Sequence, residues 1–358
     1  MSATADAWIT GHETLPRYDL RQTYRWNYDH APQPVECEVP DVPGPWTFCG
    51  LPVNSPLGMP AGPLLNGGWI LYYASLGFDV LTYKTTRSVS RECYALPNLQ
   101  PVVSGQLRGD ETNLPTSQQM QGSWAVSFGM PSMSPDVWRA DVEWTRDRLP
   151  AGKVLSVSVV GSVQPEWTLD NLADDYAQCA RWAIDSGADC VETNFSCPNV
   201  STCDGQIFQQ HESAALVASR VREEIGNIPY ILKIGHVRAA ETAESLLDAV
   251  APYADALAMT NSVAATVQAP DGTVLFDGQL RGICGDACRS ASIEQTRLFS
   301  RLIEESRLNM DVIGVGGINR TTHVRAYLDA GASAVHIATA AMINPLIGCR
   351  IRQELANG

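Results

Sequence analysis

The stretch Ala188-Asp189-Cys190-Val191-Glu192-Thr193-Asn194-Phe195-Ser196-Cys197-Pro198-Asn199 decides the fold. Its first half reads as a short buried strand, and Pro198 forbids the continuation of that strand. Cys197 therefore falls on a loop at a strand's carboxyl end, flanked by amides that can hold a polar ring. A thiol there can serve as a base, a nucleophile or a metal ligand. A buried structural cysteine is the competing reading of the same residue.

Strand-like runs like this one recur along the chain, near 53–60, 79–84, 154–160, 188–194, 229–234, 255–261, 311–315 and 334–338. Helical patterns follow most of them: Asn66–Leu76, Leu169–Ser186, Glu212–Ile225, Ala239–Tyr253, Ile293–Ser306, Thr321–Ala330 and Ala341–Leu355. Buried strands alternating with helices predict a parallel sheet. Eight such units closing on themselves make an α/β fold of the (β/α)8 TIM-barrel type. An open doubly wound sheet is the alternative, but it wants a glycine fingerprint after the first strand, and Gly58-Met59-Pro60-Ala61-Gly62 is not one. Residues 1–50, rich in Pro, Trp and Tyr, read as an N-terminal arm, expected to cover the barrel base; 51–358 read as the barrel. Between the second and third strands lies an insertion at the carboxyl-end loops, with a strand-like Trp124–Phe128 and a helix over about 135–149.

A barrel gathers its chemistry at the carboxyl ends of its strands, and the unusual residues lie there. Lys84 ends the second strand, Asn194 and Cys197 follow the fourth, and Lys233 ends the fifth. Asn261 and Ser262 end the sixth, Gly316 and Gly317 follow the seventh, and Thr339 follows the eighth. The run Val312-Ile313-Gly314-Val315-Gly316-Gly317-Ile318-Asn319 brings glycines to a helix start, where backbone N–H groups can meet an anion. Barrels often build phosphate sites from the loops after strands seven and eight, and His336-Ile337-Ala338-Thr339-Ala340 supplies the second half. Lys84 and Lys233 sit in apolar strand ends; a lysine is almost never buried unpaired, so each should face an anion or an electron-rich ring.

Composition bounds the function. The 358 residues are 45% hydrophobic and 18% charged, as in a well-buried globular enzyme. A net charge of −14 disfavours nucleic acid and anionic membranes as partners. No apolar run approaches the roughly 20 residues of a membrane span, and no secretory signal is visible, so a cytoplasmic location is expected. The ten cysteines lack a C-x-x-C pair or any regular spacing, which argues against disulfide, iron–sulfur or zinc frameworks; no metal site is expected.

The segments Gly58–Gly62, Thr82-Tyr83-Lys84-Thr85, Asn194–Asn199, Lys233, Thr260-Asn261-Ser262, Gly314–Ile318 and Ala338-Thr339-Ala340 together resemble the FMN-dependent dihydroorotate dehydrogenases. The resemblance runs in order from about residue 50 to 350. It implies FMN across the barrel mouth, hydride transfer to the flavin N5, and proton removal by a base at Cys197. Cysteine there resembles the soluble class 1 enzymes, which implies a homodimer. Lys84 corresponds to a lysine near flavin and substrate, and Lys233 to one beside the flavin N1 edge. Asn194, Asn199, Asn261 and Ser262 correspond to the groups around the pyrimidine ring. Ala61, Gly62, Gly282, Gly316, Gly317, Ala338 and Thr339 correspond to the cofactor cradle. Ser127 and Gly129 fall in the loop that holds the cyclic substrate.

That loop also departs from the family. The pattern N-S-M-G-L-P-N stands here as Val126-Ser127-Phe128-Gly129-Met130-Pro131-Ser132, without either asparagine. A site that loses a hydrogen-bonding partner leaves buried polar groups unpaired. Arg281-Gly282-Ile283-Cys284-Gly285 carries Arg and Cys where the family tends to have small residues, and Ala338 stands in place of a usual glycine. Dihydroorotate is thus the default substrate, and another dihydropyrimidine, cyclic amide or enone is the near alternative. A flavin-free aldolase using Lys84 or Lys233 would leave Cys197 and the asparagines unexplained. A flavin-binding partner without activity is a third class. The electron acceptor is not readable from the chain.

Overall fold

The computed structural model describes residues 15–196 and 206–357. Cys197 and Asn199 lie outside these. Eight parallel strands close into a barrel: β1 (Leu57–Met59), β2 (Val80–Thr86), β3 (Val154–Val159), β4 (Cys190–Asn194), β5 (Tyr230–Lys233), β6 (Ala256–Met259), β7 (Asp311–Val315) and β8 (Ala334–His336). Each pairs with its neighbours in chain order, and β8 closes on β1 through His336 opposite Gly58. The outer helices are α1 (Gly67–Ser75), α2 (Pro135–Arg148), α3 (Leu169–Asp185), α4 (His211–Ile225), α5 (Ala240–Val250), α6 (Arg289–Glu305), α7 (Thr321–Asp329) and α8 (Ile347–Ala356). The expected elements are there, with shifted ends. The expected helix over 341–355 is two, Thr339–Ile343 and Ile347–Ala356, because Pro345 cannot donate to a continuing helix. The helix expected from Ile293 begins at Arg289.

Side chains two apart on a strand share a face, so the barrel interior reads in layers. The floor is apolar: Val80, Val154, Cys190, Ile231, Ala256, Ile313 and Ala334 cluster with Phe48. Two residues further along, β2, β3, β4, β5 and β8 present Thr82, Ser156, Glu192, Lys233 and His336, all buried. Above these come Lys84, Ser158 and Asn194.

The arm divides between the two ends of the barrel, which corrects the expectation that it covers only the base. A hairpin pairing Thr47–Phe48 with Leu51–Pro52 puts Phe48 into the floor, stacked on His336 at 5.7 Å. Residues 15–29, including a short helix at Tyr24–Asp29, lie by the mouth instead. There Tyr18 and Tyr24 meet Phe128 edge-on, and Arg17 donates to the Ile343 carbonyl.

A second sheet, of which the expected elements include only the strand-like run at Trp124–Phe128, rises over the mouth. Its antiparallel strands are Val263–Ala265, Arg281–Gly285, Ser123–Val126 and Leu99–Pro101, in that spatial order. It packs on its own apolar cluster, including Val102, Leu114, Val263 and Ile283.

Candidate active site

The strand ends and this second sheet enclose one cavity of about 430 Å³. That lies within the usual 300–1,000 Å³ range of small-molecule sites. Ala61, Gly62, Lys84, Asn194, Lys233, Asn261, Ser262, Gly129, Gly282, Gly316, Gly317, Ala338 and Thr339 all line it. The structure thus brings together residues from seven of the strand ends and from the covering sheet. Ser127 is the exception among the described residues singled out by sequence. Its hydroxyl accepts from Arg281 Nε at 3.0 Å, its N–H donates to Asn98, and it does not line the cavity.

Lys84 reaches the mouth because β2 breaks register between Tyr83 and Thr86, a bulge of the kind that re-aims side chains beside sites. Its ammonium lies 3.5 Å from the Gly62 carbonyl and 4.8 Å from the centre of the Phe128 ring. Lys233 is 4% exposed and lies 4.0 Å from the Glu192 carboxylate, itself 1% exposed. Both carboxylate oxygens lack a hydrogen-bond partner among the described residues, as do both nitrogens of His336. Burial, then the Lys233 charge, pushes the His336 imidazole down to about 3, so it is neutral at physiological pH.

Asn194 ties β4 to the loop beyond it. Its side-chain Oδ1 accepts from both the N–H and the hydroxyl of Ser196, at 3.1 and 3.0 Å. Asn261 donates to the Ser196 carbonyl at 3.3 Å, so two strand ends converge on the residue before Cys197. The glycine turn after β7 is held from behind. Arg289 donates to the Gly317 carbonyl and to Asp286, and Asn319 donates to the same carboxylate. Gly317 has φ +64°, and a Cβ there would come within 3.0 Å of the Gly285 carbonyl. Only glycine fits this close approach.

The opposite wall is less polar than the strand ends. Leu99, Met120, Trp124, Val126 and Phe128 line it. Cys284 joins them, donating toward the Asn261 carbonyl at 3.6 Å, with its thiol pushed up to about 11 mainly by burial. Sequence reasoning gave no role to Glu192, to the His336 imidazole or to Arg289: the identity of a charged or imidazole residue inside a strand does not say which way it faces, and Arg289 precedes the expected start of its helix at Ile293. The period-two alternation of β4 and β8 could have placed the first two inward. Among the described residues no cluster of His, Cys, Asp or Glu could hold a metal, and no helix is long and apolar enough to cross a membrane.

Comparison with known proteins agrees with this geometry. The profile described as dihydroorotate dehydrogenase matches residues 46–358. Dihydroorotate dehydrogenase of Dictyostelium discoideum is 30% identical over 359 residues, covering 94% of this chain and 96% of its own length. The catalytic subunit of dihydroorotate dehydrogenase B (NAD(+)) of Bacillus pumilus is 27% identical over 188 residues, 51% of this chain and 58% of that subunit. In structure, the ligand-free dihydroorotate dehydrogenase of Eimeria tenella superposes with TM-score 0.73 at 18% identity, covering 93% of this chain and 92% of that one. Its complex with ferulenol gives 0.71, with 93% and 89% covered. These two likenesses concern the fold. The sequence match runs through every barrel strand and every lining residue above, and on that ground the chain belongs to the dihydroorotate dehydrogenase family.

Proposed function

We propose that this chain is an FMN-dependent oxidoreductase that interconverts a C–C and a C=C bond beside a carbonyl in a small cyclic substrate, with dihydroorotate as the default. The observation that carries the reading is one cavity holding two lysines, two amides and a glycine turn, each delivered by a different strand end. The donor set fits FMN. Gly316, Gly317 and Thr339 would hold the phosphate, Lys233 the N1 edge of the ring, and Ala61 and Gly62 its flank. A flavin held by these residues would supply the hydride acceptor for the substrate.

The chain's own residues do the rest. The amides of Asn194 and Asn261 line the cavity, where they would face the substrate ring, and both also bond Ser196, the residue before Cys197. Cys197, with Asn199 two residues on, would take the proton from the carbon next to the one that gives up hydride. A free thiol titrates near 8.5, so proton removal at neutral pH is easiest when concerted with hydride loss. The apolar wall excludes water from the reacting face. A homodimer in the cytoplasm follows from the cysteine-bearing class that the chain resembles, and its electron acceptor would be a separate small molecule or protein.

A second reading is favoured by one observation. Val126 lines the cavity at the position of the family's asparagine, on the wall with Trp124 and Phe128. That wall suits a less polar ring, such as another cyclic amide or an enone. Anaerobic titration of the purified yellow protein with dihydroorotate distinguishes the two. Stoichiometric bleaching of the flavin supports dihydroorotate. A protein that stays yellow with dihydroorotate but bleaches with dithionite moves the substrate elsewhere.

A further inference from the structure

The middle layer of the barrel holds a carboxylate that the mechanism above does not use. Glu192 is buried on β4, with Lys233 beside it on β5, one strand over and two residues further along in register, since Glu192 pairs with Ile231. Their closest approach is 4.0 Å, too long for a direct hydrogen bond but close enough for strong attraction in a dry interior. Burial of an acid in a barrel core is costly unless a cation compensates it. Lys233 is the nearby cation, and it lines the cavity, whereas Glu192 does not. His336, the other titratable group facing this layer, is neutral, and its ring is seated against Gly58, where a Cβ would come within 2.6 Å of it. The charge under the flavin site is therefore set by two groups, an ammonium facing the cavity and a carboxylate behind it.

We propose that Glu192 is a positioning residue for the flavin, acting through Lys233: it holds the ammonium at the pyrimidine edge and offsets part of its field, lowering the reduction potential of the bound cofactor. The inference rests on the FMN reading. It assigns a redox-tuning role to an acidic residue that touches neither cofactor nor substrate. Lys84, the other cavity lysine, contrasts with it: Lys84 faces a carbonyl and aromatic rings at the mouth, where the substrate enters.

The sign of the effect is determined by charge. Removing a negative charge behind Lys233 leaves the ammonium's field unopposed and favours any flavin form with negative charge at N1. Sulfite, which adds to oxidised flavin and leaves such a charge, is the probe. In Glu192→Gln holoprotein, sulfite should bind roughly tenfold tighter, the size of one unit charge at about 10 Å and an effective dielectric near 20. The same tenfold corresponds to a two-electron midpoint higher by about 30 mV. Glu192→Asp keeps the charge and should stay within about twofold of the unaltered protein. Equal sulfite affinity in Glu192→Gln and the unaltered protein would overturn the proposal. So would an equal shift in the Asp and Gln variants, which would trace the effect to packing. Should Glu192→Gln give no folded holoprotein, infrared difference spectra of the unaltered protein decide. Reduction should perturb a carboxylate band as the ammonium is drawn to the ring, and a spectrum without one overturns the proposal. A protein that purifies without flavin would instead refute the cofactor reading itself.

Discussion

The two ends of the barrel treat buried charge in opposite ways. At the floor, Asp79 accepts from Ser55 at 2.5 Å, from Arg352 at 2.7 Å and from Lys153 at 3.0 Å. Arg352 also donates to the Pro40 and Gly77 carbonyls, so the cluster ties the arm, α1 and α8 together. Each carboxylate oxygen there is satisfied. Nearer the mouth, Glu192 has a cation at 4.0 Å and no hydrogen bond among the described residues, and His336 has none either. Complete networks rigidify, while incomplete ones store an electrostatic bias that a ligand can use. Stability belongs to one end and chemistry to the other, as the barrel architecture leads one to expect.

The largest test of this division lies at the mouth. Cys197→Ala should slow flavin reduction by the true substrate by roughly 10²–10⁴-fold, the usual worth of a general base, in stopped-flow single turnovers. Its thermal midpoint and FMN content should not move. An unchanged rate would remove Cys197 from the mechanism.

The matching test at the floor is Asp79→Ala. Stripping the acid from a buried, hydrogen-bonded Arg352 leaves an uncompensated charge, at a cost of about 3–5 kcal/mol. Urea unfolding should show that loss, while the fraction that remains folded keeps its flavin and its single-turnover rate. A variant that loses turnover without losing stability would break the comparison.

The same contrast explains what could be read from the chain. The barrel was legible because each strand is a short apolar run ended by glycine, proline or a polar residue, and these local signals coincide with the tertiary fold. The strand-end site residues were legible for the same reason: Lys84, Lys233, Asn194 and Asn261 interrupt apolar patterns where a barrel puts its mouth. The covering sheet was not, beyond its one strand-like run at Trp124–Phe128. Arg281–Gly285 pairs with Ser123–Val126 across more than 150 residues of chain, and no local pattern announces such a pairing. For that reason Ser127 was expected in the cavity, whereas Arg281 holds it behind the wall. The arm was placed only in part, on similar grounds, since Phe48 fills the floor as expected while Tyr24, an aromatic residue like it, packs at the mouth.

The smallest predicted effect concerns acid. His336 is held down at about 3 against an ordinary value of 6.5, by burial first and Lys233 second. In the unfolded chain it takes up a proton as pH falls through 6.5; in the fold it does not until near 3. The unfolded state therefore binds more protons across that window, and stability must fall as pH is lowered through it. The slope is about 1.4 kcal/mol per pH unit from this one group. Asp175 and Asp311, both raised by burial, act in the opposite direction at the lower end, so the difference between two proteins is the cleaner quantity. His336→Gln removes the proton uptake while keeping a polar side chain against Phe48. Between pH 6 and pH 4, urea unfolding of the variant should show a pH dependence shallower than that of the unaltered protein by about that slope. Parallel curves would mean that the imidazole finds a partner in solution, and that the middle layer of the barrel is as well satisfied as its floor.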